Sequence, residues 1–187
     1  MRGRTQSAEG EIIGKPLPGK IFDATFLKMI YKYKNNAEMH GCRKTSVLKN
    51  EAKVPDYFMF SDFCNNFPEV ILYARAGKFY KTRFIEKTVR TYHFDAPETY
   101  MKSNEGDRSI KKTYNTLVQA KYMIEENRQF LIKWEPKTYF KYMAAILYTS
   151  FCLKRNAFKI IEKPTFFEKV FLILSYLPIW VAFKIRG

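Results

Sequence analysis

Apolar positions change their spacing along this chain, and the change falls near residue 100. Before it, short apolar segments alternate with turn signals. Gly14–Gly19, GKPLPG, carries two glycines and two prolines, which leave no regular ladder and read as a loop. Thr25–Tyr33, TFLKMIYKY, spaces Phe26, Met29, Ile30 and Tyr33 at i, i+3, i+4 and i+7, one face of a short amphipathic helix. Thr45–Lys49 opens a further helix with Val47 and Leu48 inward. In Glu69–Ala76, EVILYARA, the positions of Ile71, Leu72 and Arg75 predict a helix, with Gly77 as its C-terminal cap. Phe79–Tyr92 alternates loosely (Phe79, Phe84, Ile85, Val89, Tyr92) and predicts strand segments. The pattern is mixed α/β.

Asp95–Asp107 is polar, holds Pro97 and Gly106, and reads as a surface loop. From Arg108 to Trp134 the period lengthens to that of a long helix. Ile110, Tyr114, Leu117, Val118, Tyr122, Ile124 and Leu131 form its stripe, Asp107 its N-cap, and Pro136 its stop. A second, more apolar helix runs over Thr138–Leu153 with Tyr142, Ile146 and Tyr148, and Lys154, Arg155 and Lys159 charge its far end. Pro164 and Thr165 introduce the last segment. Within it Val170–Phe183, VFLILSYLPIWVAF, is uncharged, contains Pro178, and is flanked by Lys169, Lys184 and Arg186. At a rise of about 1.5 Å per residue that uncharged run covers only ~21 Å, short of the ~30 Å hydrocarbon core. It therefore reads as an in-plane or re-entrant membrane contact, with a buried core helix kinked at Pro178 as the alternative. Nothing repeats at a fixed period, which excludes solenoids and propellers.

Composition adds constraints. Hydrophobic residues make up 47% of the 187 positions and aromatics 17%, too apolar for a disordered tail. The net charge of +15 favours anionic partners: nucleic acid, phosphorylated substrates or an acidic membrane face. Cys42, Cys64 and Cys152 are far apart and odd in number, against a disulfide framework or structural zinc and in favour of a reducing compartment. His40 and His93 are too few for a multi-histidine metal site. Met1–Glu11 has Arg2 and Arg4 but no apolar stretch behind them, so no signal peptide is expected there.

No Gly-rich phosphate loop, nucleophile elbow or zincin motif occurs, and no Asp-x-Asp is formed by Asp23, Asp56, Asp62, Asp95 and Asp107. One stretch carries more. Glu69 follows Phe67-Pro68 and opens a helix, where the dipole favours negative charge. Such a carboxylate can serve as a general base toward an attacking hydroxyl. A glutamate in a first helical turn is also ordinary, so the surrounding spacing decides the weight of this reading.

That spacing resembles a known family. The run PEVILYARAGKFYKTRFIEKTVRTYHFD, Pro68–Asp95, is similar to the end of the catalytic domain of family 2 glycosyltransferases, inverting enzymes of the GT-A fold that build bacterial surface polysaccharides. The ordered letters are Glu69, Tyr73, Arg75, Tyr80, Arg90, Tyr92 and Asp95. Upstream, Ala37-Glu38 through Gly41, then Lys44-Thr45 through Leu48, resembles the family's Gly-Glu and Arg-Thr segments. The resemblance covers roughly residues 10–95, and more loosely the helical tail. It implies an α/β fold: the acceptor-side half of a GT-A-like nucleotide-diphospho-sugar transferase at 1–100, then an α-helical region at 101–187 whose tail, about 165–187, touches the membrane.

The resemblance also assigns roles. Glu69 takes the place of the catalytic base, deprotonating the acceptor hydroxyl for in-line attack on the anomeric carbon. Arg75 sits near the diphosphate or braces the base; a plain helix-surface ion pair is the equal alternative. Glu38, Lys44, Tyr73, Tyr92 and Asp95 take substrate-binding positions around the acceptor. The implied partners are a nucleotide-sugar donor, a glycan or lipid-linked acceptor and the inner face of the cytoplasmic membrane, with no nucleic acid. The implied cofactor is a divalent cation, Mg or Mn, for the complete enzyme.

Departures are visible too. Pro68-Glu69 replaces the usual Glu-Asp, Tyr73 a Trp, Lys44 an Arg and Ala37 a Gly. The half that carries Asp-x-Asp and the nucleotide crevice has no counterpart before residue 10. The resemblance therefore implies a C-terminal portion, from a split or truncated frame or an internal start, inactive alone and completed by a separate N-terminal half. Two other readings stay open on composition: a non-catalytic, membrane-associated basic scaffold, and a nucleic-acid binder. The scattered Lys and Arg and the missing RNP, helix-turn-helix and zinc-finger patterns count against the latter.

Overall fold

The computed structural model of the chain describes residues 1–35, 39–42, 44–47, 68–92 and 105–186. The fold is mixed α/β, a small four-stranded sheet with several helices. It divides into two compact units, Met1–Val54 with Leu72–Lys102, and Pro55–Ile71 with Ser103–Gly187.

The sheet comprises β1 (Arg2–Ser7), β2 (Ile21–Ala24), β3 (Met39–Gly41) and β4 (Thr82–Tyr92), in the order β2-β4-β1-β3. Strand β1 runs parallel to β4 and antiparallel to β3, while β2 is antiparallel to β4. Strand β1, RGRTQS, has no large apolar residue, and its segment carried no strand prediction. It is extended because both of its edges are hydrogen-bonded, and its burial is made tolerable by pairing its charge. Arg4 is buried and forms an ion pair with Glu86 of β4, and its Nη2 donates to the Gly14 carbonyl at 2.9 Å. The other Glu86 oxygen accepts from the Leu17 N–H at 3.0 Å. One ion pair thus fastens the GKPLPG loop to the sheet. At Gly3 a Cβ would meet the Lys87 carbonyl oxygen at 2.6 Å and collide with Val89, so β1 approaches β4 more closely than a side chain permits. Leu17, Ala24, Met29 and Phe84 form the core of this unit, with Phe22 packed against it.

Over Thr25–Tyr33 the expected apolar face is displaced. Residues Lys28–Lys32 form a π-turn, in which the Tyr33 N–H donates to the Lys28 carbonyl, five residues back, at 3.0 Å. The wider turn rotates Leu27, Met29 and Tyr31 inward and leaves Tyr33 exposed. Helix α1 is Glu69–Phe79, longer than predicted. Gly77 lies inside it and is no cap: its φ is not left-handed, and the chain is closed by the Tyr80 N–H donating to the Ala76 carbonyl at 2.8 Å.

The second unit contains α2 (Glu105–Trp134), α3 (Pro136–Cys152), a 3₁₀ turn at Ala157–Lys159 and α4 (Phe166–Arg186). Helix α2 begins before Asp107, which is therefore an interior residue of the first turn and not the N-cap. The predicted stripe is buried from Tyr114 through Leu131, whereas Ile110 is exposed. Pro136 ends α2 as expected and opens α3 at a first-turn position, where a missing N–H costs nothing. Met143, Ile146 and Leu147 of α3 are fully buried, each contributing about 1.5–3 kcal/mol of transfer free energy.

Helix α4 opens with a capping box. The Glu168 N–H donates to Thr165 Oγ1 at 3.3 Å, and the Thr165 N–H donates to Glu168 Oε2 at 2.6 Å. The Glu168 carboxylate, itself buried, also accepts from Arg128 Nε at 2.9 Å, Arg128 Nη2 at 3.0 Å and the Tyr139 hydroxyl at 2.7 Å. One carboxylate joins α2, α3 and α4. Lys121 acts similarly on the connecting segment, donating to Glu125 at 2.8 Å and to the Ile160 carbonyl at 2.9 Å.

The cap lengthens the last helix beyond the uncharged run counted in the sequence. Phe166–Ile185 is 20 residues, about 30 Å, and by length and composition is long and apolar enough to cross a membrane. Among the described residues, 11% of its apolar window is buried. Phe167, Leu174 and Leu177 all point outward.

Candidate functional site

Helix α1 carries the residues that the sequence singles out. Its first turn is closed by the Ile71 N–H donating to the Pro68 carbonyl at 2.9 Å, and Glu69 is its first residue, exposed. At about 100° per residue, Tyr73 follows some 40° around the helix from Glu69, on the same side. Arg75 lies about 120° away in the other direction, so helical geometry does not stack it beside the carboxylate. Tyr73 is half-buried. Its ring lies 4.9 Å from that of Phe26, and the Arg2 guanidinium stands 4.2 Å from its centroid, a cation–π contact from β1. Phe26 and Arg2 thus fix the orientation of Tyr73. The role of Arg2 had no sequence signal, since 71 residues of chain separate the pair.

On the sheet, the two segments with family-like spacing come together. Strand β3 carries His40, paired in register with Gly3, and β4 carries Arg90, paired with Thr5. Arg90 Nη1 reaches across β1 to the His40 ring, 3.2 Å from Nδ1 and closer still to Nε2. Tyr92 ends β4 opposite Ser7. Lys44 follows β3, exposed, and its carbonyl accepts from the Val47 N–H at 3.1 Å, closing the first turn of the helix expected over Thr45–Lys49, whose last two residues lie outside the described ones. Glu38 and Asp95 lie outside the described residues. His40 escaped the sequence reading because a lone histidine beside a glycine has no distinguishing pattern.

Charge elsewhere on the sheet is committed. Asp23 and Arg83, cross-strand partners on β2 and β4, form a two-pronged pair at 3.0 and 2.9 Å. The hydrogen bond from Arg83 holds the Asp23 carboxyl below its usual range. In the helical unit, burial first, then the adjacent Glu168 carboxylate, pushes the Tyr139 hydroxyl well above its usual range.

Among the described residues, no group of three or more His, Cys, Asp or Glu comes together that could hold a metal ion. The residues described do not fit the divalent cation that the resemblance implies. Comparison with protein-family models, with curated proteins and with solved structures finds no match to this chain.

Proposed function

We propose that this chain is the acceptor-side portion of an inverting, GT-A-type sugar transferase of the family 2 kind. In this reading Glu69 accepts the proton of an acceptor hydroxyl as that oxygen attacks the anomeric carbon of a nucleotide-diphosphate sugar. The new bond joins the acceptor oxygen to the anomeric carbon, the bond to the diphosphate oxygen breaks on the opposite face, and the configuration inverts. Proton acceptance of this kind contributes roughly 10²–10⁴ in rate. The observation that carries the reading is an exposed carboxylate on the first residue of a helix that leads straight into β4, the strand parallel to the central β1. Tyr73, fixed by Phe26 and Arg2, supplies an aromatic wall one turn behind it. Lys44, Glu38, Tyr92 and Asp95 are assigned to the acceptor and Arg75 to the diphosphate side.

In this reading the donor nucleotide and its cation are held by the donor-side half of the fold, and the work is done at the inner face of the cytoplasmic membrane. The exposed apolar face of α4 and its basic flanks favour that location. The same exposed helix also favours a second reading, a non-catalytic, membrane-associated basic protein.

One assay separates the two. The chain is assayed in native membranes that also supply the donor-binding half, and incorporation of radiolabel from nucleotide-diphosphate sugars into glycan is followed for wild type and Glu69→Gln. The transferase reading expects incorporation to fall at least 100-fold with an unchanged melting curve. Incorporation that is indifferent to the substitution removes Glu69 from the role and leaves the second reading.

A further inference from the structure

We infer that the helical unit carries a binding pocket for the headgroup of an anionic phospholipid. A cavity of about 450 Å³ lies between the end of α3, the 3₁₀ turn and the last turns of α4, within the usual size range of small-molecule sites. Its apolar wall is built by Phe151, Phe158, Tyr176, Trp180 and Phe183. Three of these rings hold one another: Phe151 is 5.1 Å from Tyr176 in an edge contact, and Phe158 stacks on Tyr176 at 6.0 Å. Lys154, Arg155 and Lys184 line the same space, and no carboxylate does. Such a site asks for a ligand with a negative group and an apolar body.

The backbone at Lys154 strengthens this reading. Helix α3 ends in a Schellman turn: the Lys154 N–H donates to the Phe151 carbonyl at 3.1 Å, and the Arg155 N–H donates to the Ser150 carbonyl at 2.8 Å. The residue after the cap in such a turn is left-handed and is usually glycine, which adopts that conformation without strain. Here it is Lys154, with φ of 51°. Backbone strain of this sort tends to be retained where the side chain has a task. Because backbone N–H groups already take those carbonyls, the lysine is not needed to cap the helix. Its ammonium group is left to line the cavity.

Continuity with α4 identifies the occupant. Tyr176, Trp180 and Phe183 belong to the helix whose outward face is apolar between Lys169 and Lys184. A lipid lying along that face brings its phosphate to the three cations, and Trp180, five residues before the end of the Phe166–Ile185 apolar span, is the kind of ring that favours a membrane interface. The pocket does not involve Glu69 and stands whether or not the chain takes part in sugar transfer.

The test uses full-length chain in which Trp134→Phe leaves Trp180 as the sole tryptophan, with Trp180 emission followed during titration. The probes are dihexanoyl phosphatidylglycerol, dihexanoyl phosphatidylcholine and inorganic phosphate, each below any micelle concentration. Phosphatidylglycerol is expected to bind at least fivefold more tightly than phosphatidylcholine, and inorganic phosphate to leave the emission unchanged. Lys154→Gly relieves the left-handed strain, so it is expected to raise the melting temperature while weakening phosphatidylglycerol about fivefold, one cation's contribution. Lys184→Gln, which alters no turn, is expected to weaken it to a similar degree. Equal binding of the two lipids, or unchanged affinity in both variants, overturns the proposal. Saturable displacement of the lipid by inorganic phosphate alone overturns the lipid assignment in favour of a free anion.

Discussion

Removing the Glu168 carboxylate tests how the helical unit is held together. Four donors converge on it, from Arg128, Tyr139 and the Thr165 backbone, and its side chain is fully excluded from water. Glu168→Gln keeps the volume, keeps a capping-box residue that can still accept from Thr165, and deletes the charge opposite Arg128. Breaking one side of a buried pair costs about 3–5 kcal/mol, because the remaining charge is stranded. Arg128 retains about a quarter of its exposure and can partly rehydrate, so the lower end, roughly 3 kcal/mol, applies. The assay is urea unfolding followed by helical circular dichroism, in a double-mutant cycle with Arg128→Met. Each single change is expected to be costly, and the Glu168→Gln, Arg128→Met double variant is expected to be less destabilised than the sum of the two, since removing both charges strands neither. A loss under 1 kcal/mol in Glu168→Gln with additive double-mutant behaviour refutes the argument that this carboxylate ties the three helices together.

Further consequences follow from the same geometry. Because the folded-state pKa of Tyr139 is raised above its unfolded value near 10, the stability it contributes is complete below about pH 10 and is lost as pH rises toward the folded value. Tyr139→Phe should cost about 1.5 kcal/mol at pH 7, the loss of one hydrogen bond to a charged group, and flatten the alkaline limb of a stability–pH curve. Gly77→Ala should stabilise by about 0.5–1 kcal/mol, since the position is helical and an added Cβ would make only ordinary contacts at 3.5–3.6 Å; a C-cap glycine would give the opposite sign in thermal unfolding. Gly3→Ala should destabilise by roughly 1–3 kcal/mol, because its Cβ would press on the Lys87 carbonyl; hydrogen exchange of β1 amides should accelerate.

Helices were the legible part of this fold, because an apolar stripe at helical period records its own burial. Tyr114, Leu117, Val118, Tyr122, Ile124 and Leu131 fall on the predicted face of α2, and Pro136 separates α2 from α3. Strand β1 was illegible for the converse reason. Its burial rests on a charge paired 82 residues away, Arg4 with Glu86, and on the absence of a side chain at Gly3, neither of which local patterning reports. The π-turn at Lys28–Lys32 misled the helical template because it changes the residue count per turn. Counting only uncharged residues shortened α4, since Glu168 is charged yet sequestered by Arg128. For the candidate site, the sequence placed Glu69 at a helix start and Tyr73 four residues on, whereas the partners that orient Tyr73, Arg2 and Phe26, are assembled only by tertiary packing.

The acceptor reading of helix α1 is tested most directly by mapping where a glycan touches the chain. Full-length protein is presented to an array of bacterial surface oligosaccharides, and any bound glycan is then followed by hydrogen exchange and by binding to Glu69→Ala. The account predicts selective binding, slowed exchange in α1 around Glu69–Tyr73 and near Lys44, and weakened binding in the variant. Absence of binding across the array, or protection confined to α2–α4 with Glu69→Ala unaffected, contradicts it.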